Sequence, residues 1–257
     1  MKSSKLVFVF TLGILFVACQ EKALNPTAPQ GPDFSVTPME NEEAELAALH
    51  LSGQLIAPVP LYERIKKEFE IIRSTWSDSI QHVNLRFETF WEPSKLYVEI
   101  TNGAYDSIIT SNYHYWDSLN ELYRLREKVL SFYYYGSYMI LTFEGRLNSL
   151  HLGPAYSGMP GFRSLYTTAR GGDRSEVWLH MEDDIIKYFF RYGFGDCEAG
   201  CAYSDIYYFT VKGDSALFHG SFLLYGGYTE VPPSWLDTAL TALREYHVWY
   251  HWRAGST

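Results

Sequence analysis

Residues 96–168 read LYVEITNGAYDSIITSNYHYWDSLNELYRLREKVLSFYYYGSYMILTFEGRLNSLHLGPAYSGMPGFRSLYTT, and this stretch decides the fold. It opens with Leu96, Val98 and Ile100 alternating with polar residues, the period-two pattern of a strand with one buried face. Asn102-Gly103 ends that strand. From Ala104 to Tyr123 the set Ile108, Ile109, Tyr115, Trp116, Leu119 and Tyr123 keeps a helical period. Val129 to Tyr135 is a β-type run. Gly136-Ser137 suits a two-residue type II′ turn, and Met139, Leu141 and Phe143 alternate in the returning strand. The spacing predicts a second helix from Leu147 to about Gly158, kinked or shortened by Gly153-Pro154. Phe162 to Thr168 reads as a strand again.

The order β-α-β-β-α-β is that of a ferredoxin-like split. Beyond Gly171-Gly172 the pattern turns all-β: Val177 and Leu179, then Ile185 to Tyr192, then Asp205 to Val211. Lys212-Gly213-Asp214 turns the chain into Ala216 to Leu224. After Pro232-Pro233, Ser234 is a natural N-cap for a last helix, Trp235 to about Trp252, with Leu236, Leu240, Leu243, His247 and Tyr250 at spacings of three and four. Upstream, Leu61, Ile65, Phe69, Ile72 and Trp76 mark a helix over Tyr62 to Trp76. Before it, Glu40, Glu42, Glu43 and Glu45 lead through a short apolar segment to Pro58 and Pro60. No solenoid or propeller period appears. The expectation is one α+β domain over 42–257: a ferredoxin-like core extended by an antiparallel β-meander, with flanking N- and C-terminal helices.

The N-terminus addresses location. Lys2 and Lys5 precede an apolar run from Leu6 to Val17, too short for the ~20 residues that cross a bilayer but suited to a signal peptide. Phe16-Val17-Ala18-Cys19 then puts a small residue before a cysteine. This segment resembles the lipobox of bacterial lipoproteins, with Phe16 where leucine is usual. The resemblance implies cleavage after residue 18 and acylation of Cys19. Three acyl chains anchor stably where one does not. Gln20 stands where aspartate suggests inner-membrane retention, so a Gram-negative outer membrane is expected. Residues 19–41 are rich in Pro, Ala, Asn, Thr and Gly and read as the lipidated cysteine with its tether.

Composition limits the partners. Apolar residues make up 47% of the 257-residue chain, enough for a core, and the 17% aromatic share lies largely in 21 Tyr, a residue of strands and half-wet surfaces. Residues 1–18 hold two lysines and no acid, so their removal takes the formal charge from −9 to −11. An acidic domain without a basic run is a poor ligand for nucleic acid or anionic lipid.

Cys197 and Cys201, four residues apart, read as a disulfide in an oxidising envelope, and no nearby histidine completes a zinc site. Gly193, Gly195 and Gly200 are expected to allow positive φ or close approach, and no helix start follows that makes them a phosphate cradle. Between the cysteines' loop and the strand, Asp196 has two readings: a carboxylate fixed to bind a ligand cation, or an Asx-type turn residue. Glu182-Asp183-Asp184, with Asp173 and Glu176 upstream, lacks a calcium-loop pattern and reads as a solvated hairpin tip. His247 and His251 stand at i and i+4 on the predicted last helix, without the glutamate of a zinc-protease motif. No nucleophile elbow occurs, and neither metal nor cofactor is expected. Tyr133, Tyr134 and Tyr135 on one strand face both sides of a sheet. Tyr133 and Tyr135 are therefore candidate ligand contacts, stacking on sugars or on a protein, unless helices cover that face.

Tyr115-Trp116-Asp117-Ser118-Leu119-Asn120, Leu147-Asn148, Tyr156, Pro160-Gly161-Phe162, Tyr207-Tyr208-Phe209 and above all Gly195-Asp196-Cys197-Glu198-Ala199-Gly200-Cys201 are similar to a group of uncharacterised exported bacterial proteins. The likeness spans about Trp91 to Val211, and the Gly-Asp-Cys-x3-Cys segment is its specific part. The sequence departs at Glu198, where proline is expected, and at Gly153-Pro154. The resemblance implies no activity. The expected function is a non-enzymatic, membrane-anchored protein that binds another envelope protein. The rival is glycan binding or hydrolysis in an aromatic cleft, the latter needing two carboxyl groups ~5–9.5 Å apart.

Overall fold

The alternating runs fold into two separate antiparallel sheets in the computed structural model, which describes residues 32–133, 136–167, 175–195, 201–225, 231–246 and 251–253. Strands β1 (Lys95–Ile100), β2 (Leu125–Tyr133), β3 (Gly136–Phe143) and β4 (Phe162–Tyr166) belong to the first sheet. Strands β5 (Glu176–Glu182), β6 (Ile185–Phe194), β7 (Tyr203–Lys212) and β8 (Ser215–Tyr225) form the second as a simple meander. The C-terminal strand β9 (His251–Arg253) returns to the first sheet and pairs with β4. The first sheet thus has the order β2-β3-β1-β4-β9 and the second β5-β6-β7-β8. The chain is of the α+β class. The meander does not extend the first sheet, as the sequence suggested. It carries its own core.

The helices are α1 (Glu42–Ser52), α2 (Val59–Trp76), α3 (Asn102–Ile109), α4 (Asp117–Leu122), α5 (Ser149–Ser157) and α6 (Leu236–Tyr246). Helix α1 escaped the periodicity search because Glu43 to Leu49 are all buried, leaving no polar face to set a period. Its ends are nonetheless conventional: the Asn41 side chain accepts from the Ala44 N–H at 3.0 Å, and Gly53 closes the helix at φ 60°. The helix expected over Ala104–Tyr123 is two helices. Thr110 ends α3, Ser111 turns the chain at φ 58°, and Tyr113 and Trp116 reach the core from the connecting loop. The Tyr113 hydroxyl donates to the Pro160 carbonyl at 2.6 Å, fixing that loop without helical continuity. Pro154 lies inside α5, where it removes only the bond to Leu150 in a short helix. Gly136 and Ser137 are the first residues of β3, opposite Tyr133 and Phe132, so they are strand rather than turn. The described part of the last helix is Leu236–Tyr246, and it does not reach Trp252, which pairs with Leu165 in strand β9.

In the first sheet one face is closed. Leu96, Val98, Ile100, Met139, Leu141, Phe143 and Leu165 pack under Ala104, Ile108, Trp116, Leu152 and Tyr156. The second sheet is closed on both. Tyr188, Phe190 and Phe209 meet Phe69 and Trp76 of α2, with ring centroids 5.2–6.5 Å apart. On the opposite side Phe189 and Tyr208 meet Trp235 at 6.3 and 5.6 Å, beside Leu236, Ala239 and Ala242.

One buried carboxylate of α1 ties the two parts together, and another braces the helix within the larger core. Glu45, fully buried, accepts from Arg146 Nη1 at 2.6 Å, Thr37 Oγ1 at 2.9 Å and the Met39 N–H at 2.9 Å. Glu43 accepts from both terminal nitrogens of Arg73 at 2.8 and 2.6 Å and from the Phe87 N–H at 2.7 Å. Bidentate, multiply bonded carboxylates of this kind are tolerated in a core because each lone pair is used. Among the described residues no helix is long and apolar enough to cross a membrane.

Candidate functional site

The residues singled out by sequence fall partly outside the described residues. Cys19, Asp196, Cys197, Tyr135, His247 and Gly200 lie outside the described residues. Tyr133 is the last residue of β2, opposite Gly136. His251 starts β9, so it shares no helix with position 247, and the i, i+4 arrangement is lost. Cys201 is half-buried and disulfide-bonded. Gly195 has φ 94°, and a Cβ there would lie 3.0 Å from the Ala202 Cβ, so this position needs glycine where the chain leaves β6. Gly193, expected to share that role, is instead an ordinary strand residue opposite Ser204. Asp183 and Asp184, at φ 47° and 61°, form the tip between β5 and β6, with Asp184 held by Arg64 at 2.9 Å. Glu176 points elsewhere, buried against Arg191 at 3.1 Å. Glu182-Asp183-Asp184 is thus the solvated hairpin tip read from the sequence, and Glu176 stands apart from it in an ion pair. Among the described residues no group of three or more His, Cys, Asp or Glu is placed to hold a metal.

Two features have the geometry of a site. One is the outer face of the first sheet. Register places Val129, Ile140, Tyr97 and Tyr166 side by side across β2, β3, β1 and β4. Val129 is 43% exposed, Ile140 and Tyr138 are half-buried, and the Tyr97 and Tyr166 rings stack with centroids 5.6 Å apart. None of these residues belongs to either core. Burial and the neighbouring Tyr138, Glu99 and Tyr97 hold the Tyr166 hydroxyl above its ordinary pKa, so it stays a neutral donor and acceptor.

The other is a cleft of about 370 Å³ at the free edge of β5, where α1, α5 and α6 meet. Its inner wall carries His50, Trp91, Asn148 and Tyr246, and its rim Met181, His180 and Glu245. Trp91 and Asn148 are 2% and 1% exposed. The His50 ring packs against Phe87 and Tyr246 at 5.6 and 6.0 Å. Desolvation lowers its pKa to about 4, partly opposed by Glu245, so the imidazole is neutral at physiological pH. His180 Nδ1 lies 2.9 Å from a Glu245 carboxylate oxygen.

No protein-family model matches this chain, and no curated protein and no solved structure is similar to it.

Among the residues lining the cleft Glu245 is the sole carboxylate, so the acid–base pair of a glycoside hydrolase is not assembled there. The sequence reading assigned no site role to any of these residues; Asn148 entered it only through a resemblance. A signal was nevertheless present: Leu49-His50-Leu51, Leu150-His151-Leu152 and Leu179-His180-Met181 each set a histidine between two aliphatic residues. All three flank this cleft, His151 through a hydrogen bond with the Gly53 carbonyl.

Proposed function

We propose that this chain is a lipid-anchored cell-envelope protein, attached through acylated Cys19, that binds another envelope protein through the outer face of the first sheet. The carrying observation is the row Val129–Ile140–Tyr97–Tyr166, an apolar and tyrosine-rich band across four strands that neither core uses. Tyrosine on a rigid sheet buries area at low entropic cost and is enriched at contact surfaces, while the neighbouring aliphatic residues add apolar area. Ile140, Tyr138 and Val129 are accessible enough to contribute.

The strand order β2-β3-β1-β4, with α3, α4 and α5 connecting the strands, supports the ferredoxin-like reading of the first sheet. Other proteins of that architecture bind through a sheet face, which is an analogy of fold alone. Pairing of Cys197 with Cys201 completes the proposal, and the disulfide at Cys201 supports it. An oxidising compartment beyond the inner membrane, the outer membrane of a Gram-negative host, suits both the bridge and the anchor.

Two substitutions test the proposal separately. Cys19→Ala moves the protein from the membrane pellet to the soluble fraction, whereas continued pelleting contradicts the anchor. Ile140→Lys with Val129→Lys leaves the far-UV circular dichroism unchanged and abolishes co-purification of the envelope partner from detergent extracts. Retention of the partner by that double variant contradicts the binding face.

A further inference from the structure

The cleft beside β5 holds hydrogen-bonding groups that the fold itself does not use. The Trp91 indole N–H, the Asn148 amide nitrogen and both ring nitrogens of His50 make no hydrogen bond among the described residues. The Asn148 Oδ1 is occupied, accepting from the Leu150 N–H at 3.0 Å as the N-cap of α5, which fixes the amide and leaves its two N–H groups over. Trp91 and Asn148 are nearly fully buried, yet neither polar nitrogen is sealed from the cleft. These nitrogens are open to the cleft and unspent by the fold, and several polar groups converging on one concave, partly apolar space are what a small-molecule site presents.

The lining also limits what that occupant is. Among the described residues no lysine or arginine lines the cleft, so an anion gains no compensation from them for leaving water. The one carboxylate, Glu245, is shared with His180 and half-exposed at the rim, so a permanent cation meets no dedicated counter-ion inside. What remains is neutral: a donor-only indole, a donor amide, and an imidazole that both donates and accepts. Leu51, Leu150 and Met181 add apolar surface to the same space. A pyranose ring matches this set, because each hydroxyl donates and accepts while the ring C–H face is apolar. A volume near the lower end for small-molecule pockets admits a single ring rather than an extended polymer.

We propose that the cleft bounded by His50, Trp91, Asn148 and Glu245 binds one neutral sugar ring, with the inner-wall nitrogens on its hydroxyls and Glu245 accepting at the rim. This site is separate from the sheet face of the proposed protein contact and stands or falls independently of it.

Saturation-transfer NMR on the purified protein tests it with glucose, galactose, mannose and N-acetylglucosamine as probes, and glutamate and choline as charged controls. The expected result is transfer to the ring protons of at least one pyranose and to neither charged control. His50→Phe keeps the ring contacts with Phe87 and Tyr246 but removes both nitrogens, and weakens that pyranose by about tenfold, as loss of a ligand hydrogen bond does. Should that variant fail to fold, Glu245→Gln, at an exposed rim position, is read in its place with the same sign. Absence of transfer to every pyranose overturns the proposal. So does binding confined to a charged control, or undiminished pyranose binding by the folded variant.

Discussion

The two sheets of this molecule are both rich in aromatic residues but use them differently. In the second sheet Trp178 and Phe189 on one face and Tyr188 and Phe190 on the other are all fully buried, because α2 covers one side and α6 the other. In the first sheet Leu96 and Val98 are fully buried while their strand neighbours Tyr97 and Glu99 are half-buried. The sheet covered twice is mainly scaffold, leaving exposed apolar side chains towards its edge and ends, such as Leu217 and Leu223 on β8. One covered once presents a surface, and here that surface is tyrosine-rich. The strands already carry the distinction: Val177-Trp178-Leu179 and Tyr188-Phe189-Phe190 are continuous apolar runs, whereas β1 alternates strictly.

The sharpest way to break the comparison is to hollow out each sheet in turn. Phe190→Ala is expected to cost about 3–5 kcal/mol, the usual price of a large buried ring. Ile140→Ala on the open face should stay within about 1 kcal/mol. Urea unfolding of both variants reads the difference, and equal losses would mean that the first sheet's outer face is core after all.

Next in size is the link between the parts. Glu45→Gln leaves Arg146 without its buried charge partner and should cost roughly 3 kcal/mol. A loss below about 1 kcal/mol in the same unfolding experiment would show that α1 is not what joins the two cores.

The third prediction concerns acid. His50 has its pKa lowered from the ordinary 6.5 to about 4, so between those values the unfolded chain binds more protons than the folded one. Stability contributed by neutral His50 is complete above pH 6.5 and declines as pH falls towards 4. The full swing is on the order of 3 kcal/mol. Unfolding of the wild type and His50→Phe at neutral and mildly acidic pH should show a smaller acid loss in the variant, and identical losses would contradict the desolvated environment of the cleft.

The smallest expected effect is at the open face itself. Val129→Thr, at a 43% exposed position, should change stability by no more than about 0.5 kcal/mol by thermal unfolding. A larger loss would reveal hidden packing on that face.

How much of this was legible in the sequence depends on periodicity. Residues whose environment differs between two faces, such as Leu96/Tyr97 and Met139/Ile140, announced their strands. The same rule explains the failures. Helix α1 is buried all round and shows no period, and the aromatics at Tyr113 and Trp116 mimic a helical spacing from a loop. At the C-terminus the helical pattern from Trp235 continued through Trp252, although His251–Arg253 form strand β9. That two sheets form rather than one extended sheet was not legible, because register between distant strands is decided by packing and not by local pattern. The cleft was illegible for a related reason: His50, Trp91, Asn148, His180 and Glu245 come from five separate segments, and only the histidines' aliphatic neighbours marked them. Local motifs were legible where they describe a turn, as with the solvated hairpin tip Glu182-Asp183-Asp184, and misleading where they presumed a helix, as with His251, which lies in strand β9.

The claim that the first sheet's outer face does the binding is tested most directly by site-specific photocrosslinking in living cells. A photoreactive residue replacing Val129 is compared with one replacing Leu217 on the second sheet, since both positions are 43% exposed. The account predicts one discrete adduct from position 129, lost when Ile140→Lys is added, and none from position 217. An adduct of equal intensity from position 217, or no adduct from position 129, contradicts it.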